Sequence, residues 1–222
     1  MHYETQTNKH GLKHDPFKAL AVPRPIGWVS SVSPDGTRNL APYSFFNAVA
    51  DRPPMVMFSS VGRKDSVINI EQSGEFVCSL ATWDLRDEMN MSSATVAPDV
   101  DEFTVAGLEA APSLIVKAPR VARSPAAFEC RHWKTVELPA NPTRPEMTNL
   151  VVFGLVVAIY IDDSYVKDGL VDTGAMRPLA RLGYMDYAVV TPEVMFALNR
   201  PEVSEDGRSV SVNTKAWDGV YR

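Results

Sequence analysis

Seventeen prolines divide this chain of 222 residues into short segments, and most of them lie near segment ends. The runs between them are rich in β-branched and aromatic residues, as in residues 26–32 and 55–60. Short β-rich runs separated by turn residues are typical of a barrel or a sandwich. The pattern therefore predicts a mostly β fold in which helices are few and short.

The composition excludes several classes of protein. A hydrophobic fraction of 45% and a charged fraction of 22% are those of an ordinary globular protein, and the length suffices for one sizeable domain. The net charge is -5, and no run of Lys or Arg forms a stripe. Binding to nucleic acid requires cations that replace phosphate counterions, so we expect no nucleic-acid partner. We expect no basic membrane-binding patch for the same reason.

The sequence also predicts a cytoplasmic location. Residues 1–14 are polar and lack the apolar core of a signal peptide. The longest apolar run, residues 150–161, is shorter than the roughly 20 residues that a membrane-spanning helix needs, and it is predicted as a buried strand. Two cysteines do not make a disulfide framework, and Cys78 is interpreted as a buried structural thiol.

The first half of the chain contains the clearest secondary-structure signals. Residues 33–37 (Ser-Pro-Asp-Gly-Thr) predict a turn that follows strand 26–32 and closes a hairpin. The apolar run 55–60 predicts a central strand. A short helix is expected to follow, with Asp65 as its N-cap and Gly74 just after its end.

The second half is predicted with weaker signals. We expect a strand at 75–81, a helix at 82–93, a loop or short helix at 99–107, and further strands at 114–116, 121–123, 127–137 and 149–162. Residues 138–147 contain three prolines and predict a loop. The chain is divided into an N-terminal extension (1–20), one domain (21–200) and a C-terminal tail (201–222). The tail is expected to be a docking arm or partly disordered.

Several well-known motifs are missing from the sequence. It contains no Gly-x-Gly-x-x-Gly, no phosphate-binding P-loop, no Gly-x-Ser-x-Gly and no His-Glu-x-x-His. His10 and His14 have the i, i+4 spacing that could hold a metal on a helix, but Gly11 and Pro16 disfavour a helix there. A solvated terminal segment is the preferred interpretation, and no metal site is predicted.

Residues 39–47 form the first stretch with the chemistry of a binding site. Small and rigid residues would let a flat ring approach the backbone, whose N–H and C=O groups can pair with a polar ring edge. Ser44 and Asn47 would add donors and acceptors. An irregular edge strand with polar tips explains this stretch equally well when it is taken alone. The residues of this candidate stretch are Asn39, Leu40, Ala41, Pro42, Tyr43, Ser44, Phe45, Phe46 and Asn47.

Residues 59–66 form the second stretch, which leaves an apolar strand and enters the predicted helix. Hydroxyl groups, two cations and free amides at a helix start are what a phosphate group requires. Asp65 would repel phosphate through its carboxylate, so its backbone amide is expected to face the ligand. A solvated turn with two surface cations is the alternative. The candidate phosphate-binding residues are Ser59, Ser60, Arg63, Lys64 and Asp65.

Several ordered motifs, from about residue 23 to about residue 190, resemble the flavin reductase-like, or flavoredoxin-like, branch of the FMN-binding split-barrel proteins. The motifs are Pro-Arg-Pro-Ile-Gly-Trp-Val-Ser at 23–30, Asp-Gly-Thr-Arg-Asn-Leu-Ala-Pro-Tyr-Ser-Phe-Phe-Asn at 35–47, Arg-Pro-Pro at 52–54, Lys-Asp-Ser at 64–66, Ser-Gly-Glu-Phe-Val at 73–77, Phe-Glu-Cys at 128–130, Val-Phe-Gly at 152–154 and Leu-Ala-Arg-Leu-Gly at 179–183.

The resemblance implies a six-stranded Greek-key split barrel that forms a homodimer and binds FMN near the subunit interface. Residues 39–44 and Asn47 would line the isoalloxazine ring and the ribityl chain. The phosphate would be held by Ser59, Ser60, Arg63, Lys64 and the Asp65 amide. Arg181 would approach the flavin from late in the chain. Relatives often have a second glycine after Arg-Leu-Gly, whereas this chain has Tyr184, which would either cover the ring or pack elsewhere.

The resemblance also implies the chemistry. We expect an NAD(P)H-dependent flavin reductase that passes hydride to the flavin and electrons on to oxygen or a partner monooxygenase. The flavin carries this reaction, so no catalytic side chain is predicted. A non-enzymatic FMN-binding electron carrier is the first alternative. The second keeps the barrel but binds haem, a deazaflavin or a pyridoxal phosphate, and residues 39–47 and 59–65 favour FMN over these ligands.

Overall fold

An antiparallel sheet of seven strands forms the centre of the fold in the computed structural model, which describes residues 1–140, 144–217 and 219. The mostly β prediction is confirmed. The strands are β1 (Arg24–Pro25), β2 (Gly27–Val32), β3 (Arg38–Tyr43), β4 (Phe46–Asp51), β5 (Pro54–Val61), β6 (Glu75–Leu80), β7 (Ala110–Ala111), β8 (Arg120–Val121), β9 (Ala126–Glu137), β10 (Asn149–Ile161), β11 (Val166–Lys167), β12 (Leu170–Val171), β13 (Leu179–Arg181), β14 (Tyr187–Val189), β15 (Glu202–Val203) and β16 (Val210–Ser211).

The helices among the described residues are short and surround the sheet. They are α1 (Phe17–Leu20), α2 (Asp65–Ser73), α3 (Arg86–Met91), α4 (Glu102–Val105) and α5 (Thr173–Met176), with 3₁₀ turns at Trp83–Leu85, Asp163–Tyr165 and Pro192–Val194. None of these helices is long and apolar enough to cross a membrane.

The order of strands in the large sheet is β3-β2-β6-β9-β10-β5-β4. Strands β3 and β4 therefore lie at opposite edges, yet only Ser44 and Phe45 separate them in the chain. Such a short link requires the two edges to lie close together, so the sheet must curl into a barrel. The backbone N–H of Ser59 on β5 donates to the carbonyl of Phe45 at 2.8 Å and fixes the link at this edge.

Successive side chains of β2 pack in hydrophobic clusters on opposite faces of the sheet. Val29 packs inside the curled sheet with Phe58, Phe76 and Ile70 of α2. Trp28, its neighbour in the chain, packs in a second cluster on the opposite face, which includes Leu40, Leu85 and Phe103. Because successive side chains of a strand point to opposite faces, β2 connects the two clusters.

Cys78 and Cys130 are both buried and are free thiols, which confirms the interpretation of Cys78. Burial raises the pKa of the Cys78 thiol, and the neighbouring thiol of Cys130 raises it further. A buried thiol with a raised pKa is a poor nucleophile, so the structure gives Cys78 a packing role.

Several local predictions require correction. Asp65 is the first residue of α2, not its N-cap, because Lys64 has the extended backbone of the cap position. Gly74 does end α2 in the left-handed conformation, as predicted. The helix expected at 82–93 is divided into a 3₁₀ turn and α3. In the predicted loop at 138–147, residues 141–143 lie outside the described residues.

The predicted strand at 114–116 is wrong, and Glu129 of β9 is the reason. Its buried carboxylate accepts hydrogen bonds from the backbone N–H groups of Leu114 (2.7 Å), Ile115 (2.7 Å) and Val116 (3.2 Å). Amides that converge on one carboxylate cannot also extend along a strand ladder. The segment is therefore a loop wrapped around a side chain.

We expect Glu129→Gln to destabilise the protein by about 1–3 kcal/mol, because an NH₂ group would face backbone donors in place of an acceptor oxygen. Urea unfolding would measure the change. Glu137→Gln is the matched control, since Glu137 lies on the same strand but is exposed. Equal stabilities of the two variants would contradict the anchoring role of Glu129.

Candidate functional site

A groove of about 370 Å³ opens beside β3 and the start of α2, and we call it the β3–α2 groove. The first half of the chain supplies all of the described wall, including one residue each from α1 and α4. The lining residues are Lys18, Asn39, Ala41, Pro42, Tyr43, Ser44, Phe45, Ser59, Val61, Lys64, Asp65, Ser66, Ser92, Ser93, Ala94, Thr95, Val96 and Glu102.

The groove brings together members of both predicted stretches. Because the Ser44–Phe45 link draws the two sheet edges together, residues from β3 lie near residues from the end of β5. The predicted residues that line the groove are Asn39, Ala41, Pro42, Tyr43, Ser44, Ser59, Lys64 and Asp65.

The remaining members of the first stretch lie elsewhere. Leu40 is fully buried in the outer cluster, and its backbone N–H donates to the Glu102 carboxylate at 3.1 Å. Asn47 is exposed on β4, where its side-chain oxygen accepts from the backbone N–H of Ala48 at 3.0 Å. Neither side chain lines the groove.

Three predicted polar or charged residues also point away from the groove. The Ser60 hydroxyl is buried and donates to the carbonyl of Gly62 at 2.9 Å. Arg63 forms an ion pair with Glu71, which lies in the second half of α2. Arg181 donates to the carbonyl of Tyr184, and its guanidinium lies 4.4 Å from the centroid of the Tyr187 ring.

Tyr184 has a backbone conformation that favours glycine. Its φ of 54° is in the left-handed region, which glycine adopts without strain. This conformation suits the glycine that relatives often have at the position. Its ring lies 5.8 Å from the ring of His14, centroid to centroid. The Tyr184 ring therefore packs against the N-terminal segment.

A buried polar network lies beneath the groove and fixes Asn39. The side-chain amide of Asn39 donates to Glu102 at 2.9 Å, and its side-chain oxygen accepts from the Ser66 hydroxyl at 2.6 Å. Burial raises the pKa of Glu102, although the hydrogen bonds from Leu40 and Asn39 oppose this effect. The network ties β3, α2 and α4 into one rigid floor.

The phenol of Tyr43 adds a polar group to this floor. Burial raises the pKa of Tyr43, although the neighbouring hydroxyls of Ser66 and Ser60 offset part of this effect. The hydroxyl makes no well-aligned hydrogen bond with any part of the chain that the structure describes. The hydroxyl oxygen is inaccessible to solvent and the ring packs in the inner hydrophobic cluster, so the phenol belongs to the packed layer beneath the groove.

The start of α2 has the donors that an anion requires. Within the described ranges, the backbone N–H groups of Asp65 and Ser66 have no carbonyl partner, and the Lys64 ammonium has no ion-pair partner. These groups combine the positive end of the helix dipole with a cation. The Lys64–Ser66 region of the groove can therefore hold a phosphate group.

Part of the groove wall was not predicted from the sequence. The Ser-Ser-Ala-Thr run at 92–95 lies after α3, and Trp28 anchors it by donating to the Ser92 hydroxyl at 2.9 Å. Four consecutive small residues with three hydroxyls were a visible signal. Glu102 and Lys18 gave no such signal, because their positions depend on contacts between distant segments.

His10 and His14 of the N-terminal segment contact different aromatic rings. His10 packs against Tyr3 and His14 against Tyr184, and neither lies in a helix. No group of three or more His, Cys, Asp or Glu residues in the described parts of the chain could hold a metal ion.

Residues 19–180 match the model of the flavin reductase like domain. This match covers well over half of the chain. The chain belongs to the flavin reductase-like family. A protein of Aquifex aeolicus whose function is not characterised is 39% identical over 170 residues, which are 74% of this chain and 83% of that protein. The predicted family is confirmed.

Solved structures confirm the split-barrel fold of this flavin reductase-like protein. Component B of nitrilotriacetate monooxygenase from Bacillus cereus has a TM-score of 0.80 and 25% identity, over 89% of this chain and 98% of that chain. The 2-nitrobenzoate 2-nitroreductase of Pseudomonas fluorescens has a TM-score of 0.76 and 25% identity, over 90% of this chain and 96% of that chain.

Because the pKa of Glu102 is raised, its contribution to the free energy of unfolding should depend on pH. A carboxyl group whose pKa is higher in the folded than in the unfolded state favours folding when protonated, and this contribution is lost as pH rises through the folded pKa. The stability of the wild type relative to Glu102→Gln should therefore fall as the pH rises from about 4 to about 7. Urea unfolding across this range would measure it.

Glu109→Gln is the control for this experiment, because Glu109 is exposed and lies outside the groove. Its stability relative to the wild type should stay constant over the same range. A difference between wild type and Glu102→Gln that does not change with pH would contradict the assignment.

Proposed function

We propose that this protein binds FMN in the β3–α2 groove and acts as an NAD(P)H-dependent flavin reductase. The main support is that the groove joins a phosphate-binding helix start to a wall of small and aromatic residues, in a chain of the flavin reductase-like family. Either feature alone also fits a solvated surface.

The donors in the groove fit the parts of FMN. Lys64, the backbone N–H groups of Asp65 and Ser66, and the Ser59 hydroxyl would hold the phosphate. Residues 41–44 would face the ring, since Ala41 leaves space and backbone groups can pair with its polar edge. Thr95, which is exposed on the opposite wall, would face the ribityl chain.

Bound FMN would supply the hydride and electron-transfer chemistry between a reduced nicotinamide and an acceptor. The chain would supply orientation and exclusion of water. The Asn39–Glu102–Ser66 network would hold the floor rigid.

The electron acceptor is proposed by analogy with the two solved structures. One is a component of a monooxygenase and the other is a nitroreductase, so similar folds serve different acceptors. We propose a partner monooxygenase or oxygen as the acceptor, and a cytoplasmic location. A non-enzymatic electron carrier would have the same groove but would not consume reduced nicotinamide.

We also propose a homodimer. Large apolar side chains are exposed in the C-terminal segment, including Phe196 (82%) and Leu198 (84%). Within this segment β15 pairs with β16, and the Lys215 ammonium forms an ion pair with Glu202. Exposed apolar surface of this kind marks contact sites. Light scattering that shows a stable monomer would contradict this proposal.

The purified protein tests the proposed activity directly. It should quench the fluorescence of added FMN and should oxidise NADH or NADPH when FMN is present. Binding of FMN without oxidation of either nicotinamide would favour the electron carrier. Failure to bind any flavin would overturn both functions.

Lys64→Ala should weaken FMN binding by about tenfold to hundredfold, which corresponds to the loss of one charged hydrogen bond of roughly 1.5–3 kcal/mol. Riboflavin lacks the phosphate, so its affinity should not change. Fluorescence titration would measure both ligands.

Arg63→Ala is the matched control, because Arg63 is the neighbouring cation and is already paired with Glu71. Its affinity for FMN should stay close to that of the wild type. An equal loss in both variants, or a loss for riboflavin as well, would show that the phosphate lies elsewhere.

A further inference from the structure

A cation from the N-terminal segment reaches the groove. Lys18 lies in α1 and lines the β3–α2 groove together with Ser44 and Phe45. It is one of two cations in the groove wall, and the other is Lys64. Lys18 immediately precedes the residues 19–180 that match the family model, so the family match does not include it.

Arg24 fixes the backbone that carries Lys18. Its buried guanidinium donates to the carbonyl oxygens of Lys18 (2.6 Å), Ala21 (2.6 Å) and Leu182 (2.7 Å). The guanidinium also lies 5.7 Å from the centroid of the Phe45 ring. These three charge-assisted hydrogen bonds tie the segment 18–21 to Leu182 and hold residue 18 beside the β3–β4 link.

Gly183 provides the second constraint on α1. A Cβ atom at this position would lie 2.6 Å from the Cβ and 2.7 Å from the Cα of Ala19. Helix α1 can therefore pack against the segment after β13 only because residue 183 has no side chain. The fit places α1 tightly, although the helix has only four residues.

The Lys18 ammonium is available for a ligand. It forms no hydrogen bond and no ion pair with the residues that the structure describes. Arg181, the cation expected late in the chain, instead contacts Tyr184 and Tyr187. Lys18 is thus the cation beside residues 42–45, whereas Lys64 is the cation at the start of α2.

We propose that Lys18 stabilises the reduced, negatively charged form of the bound flavin, and this proposal rests on the function proposed above. A flavin ring that gains two electrons and one proton carries one negative charge, which the oxidised ring does not. A fixed cation near the ring favours the charged form and so tunes the cofactor's electronics. The phosphate already has Lys64 and the α2 amides, so Lys18 acts on the ring.

The test compares the affinities of the protein for oxidised and reduced FMN, measured by anaerobic titration. Lys18→Met retains the length of the side chain but removes its charge. The ratio of reduced to oxidised affinity should fall about fivefold, because an exposed charge pair is largely screened. A fivefold fall corresponds to a midpoint potential lower by about 20 mV for two electrons.

Two further variants separate charge from structure. Lys18→Arg keeps the cation and should retain most of the wild-type ratio. Lys13→Met removes an exposed cation of the same segment that does not line the groove, and its ratio should equal that of the wild type. Gly183→Ala should displace α1 and lower the ratio, although Lys18 is still present.

Other outcomes would overturn the proposal. If Lys18→Met leaves the ratio of reduced to oxidised FMN affinity unchanged, Lys18 does not stabilise the charged reduced ring. A loss of affinity for oxidised FMN but not for riboflavin would make Lys18 a phosphate ligand. An unchanged ratio with a raised KM for the nicotinamide would assign Lys18 to the electron donor. Wild-type protein that binds neither form of flavin would refute the proposed function itself, which distinguishes the two failures.

Discussion

The two-residue link between β3 and β4 is the constraint on which the site depends. The link joins opposite edges of a seven-stranded sheet, so the strands must curl until those edges meet. The hydrogen bond from Ser59 to Phe45 then holds β5 beside the link. A flat sheet of the same strands would separate residues 39–45 from the start of α2. Curling therefore creates the groove.

Polar residues beneath the groove make this arrangement rigid. Asn39 is bound from two sides by Glu102 and Ser66, which belong to different helices. Burying such a network is favourable only when its members are satisfied, and both polar ends of the Asn39 side chain have partners here. The same three side chains also line the groove, so the packing that stabilises the fold sets the position of the groove floor.

Much of the fold could be predicted because its signals are local. The hairpin turn at 33–37 and Gly74 at the end of α2 follow from residue types alone. The strand at 114–116 was wrong because its apolar residues gave no sign that Glu129, in a later strand, binds their amides. The same distinction applies to the site. Lys64 could be predicted as a phosphate ligand because it lies next to the predicted helix start. The ion pair of Arg63 with Glu71, and the hydrogen bond that Arg24 donates to the Lys18 carbonyl, depend on three-dimensional contacts that the sequence does not reveal.

A crystal structure of the protein grown with FMN would show whether the β3–α2 groove is the FMN site. We expect continuous density for one FMN in the groove, with its phosphate against Lys64 and the first turn of α2 and its ring against residues 41–44. Ordered FMN at another place on the protein, or a groove without ligand density at a saturating FMN concentration, would contradict binding in this groove.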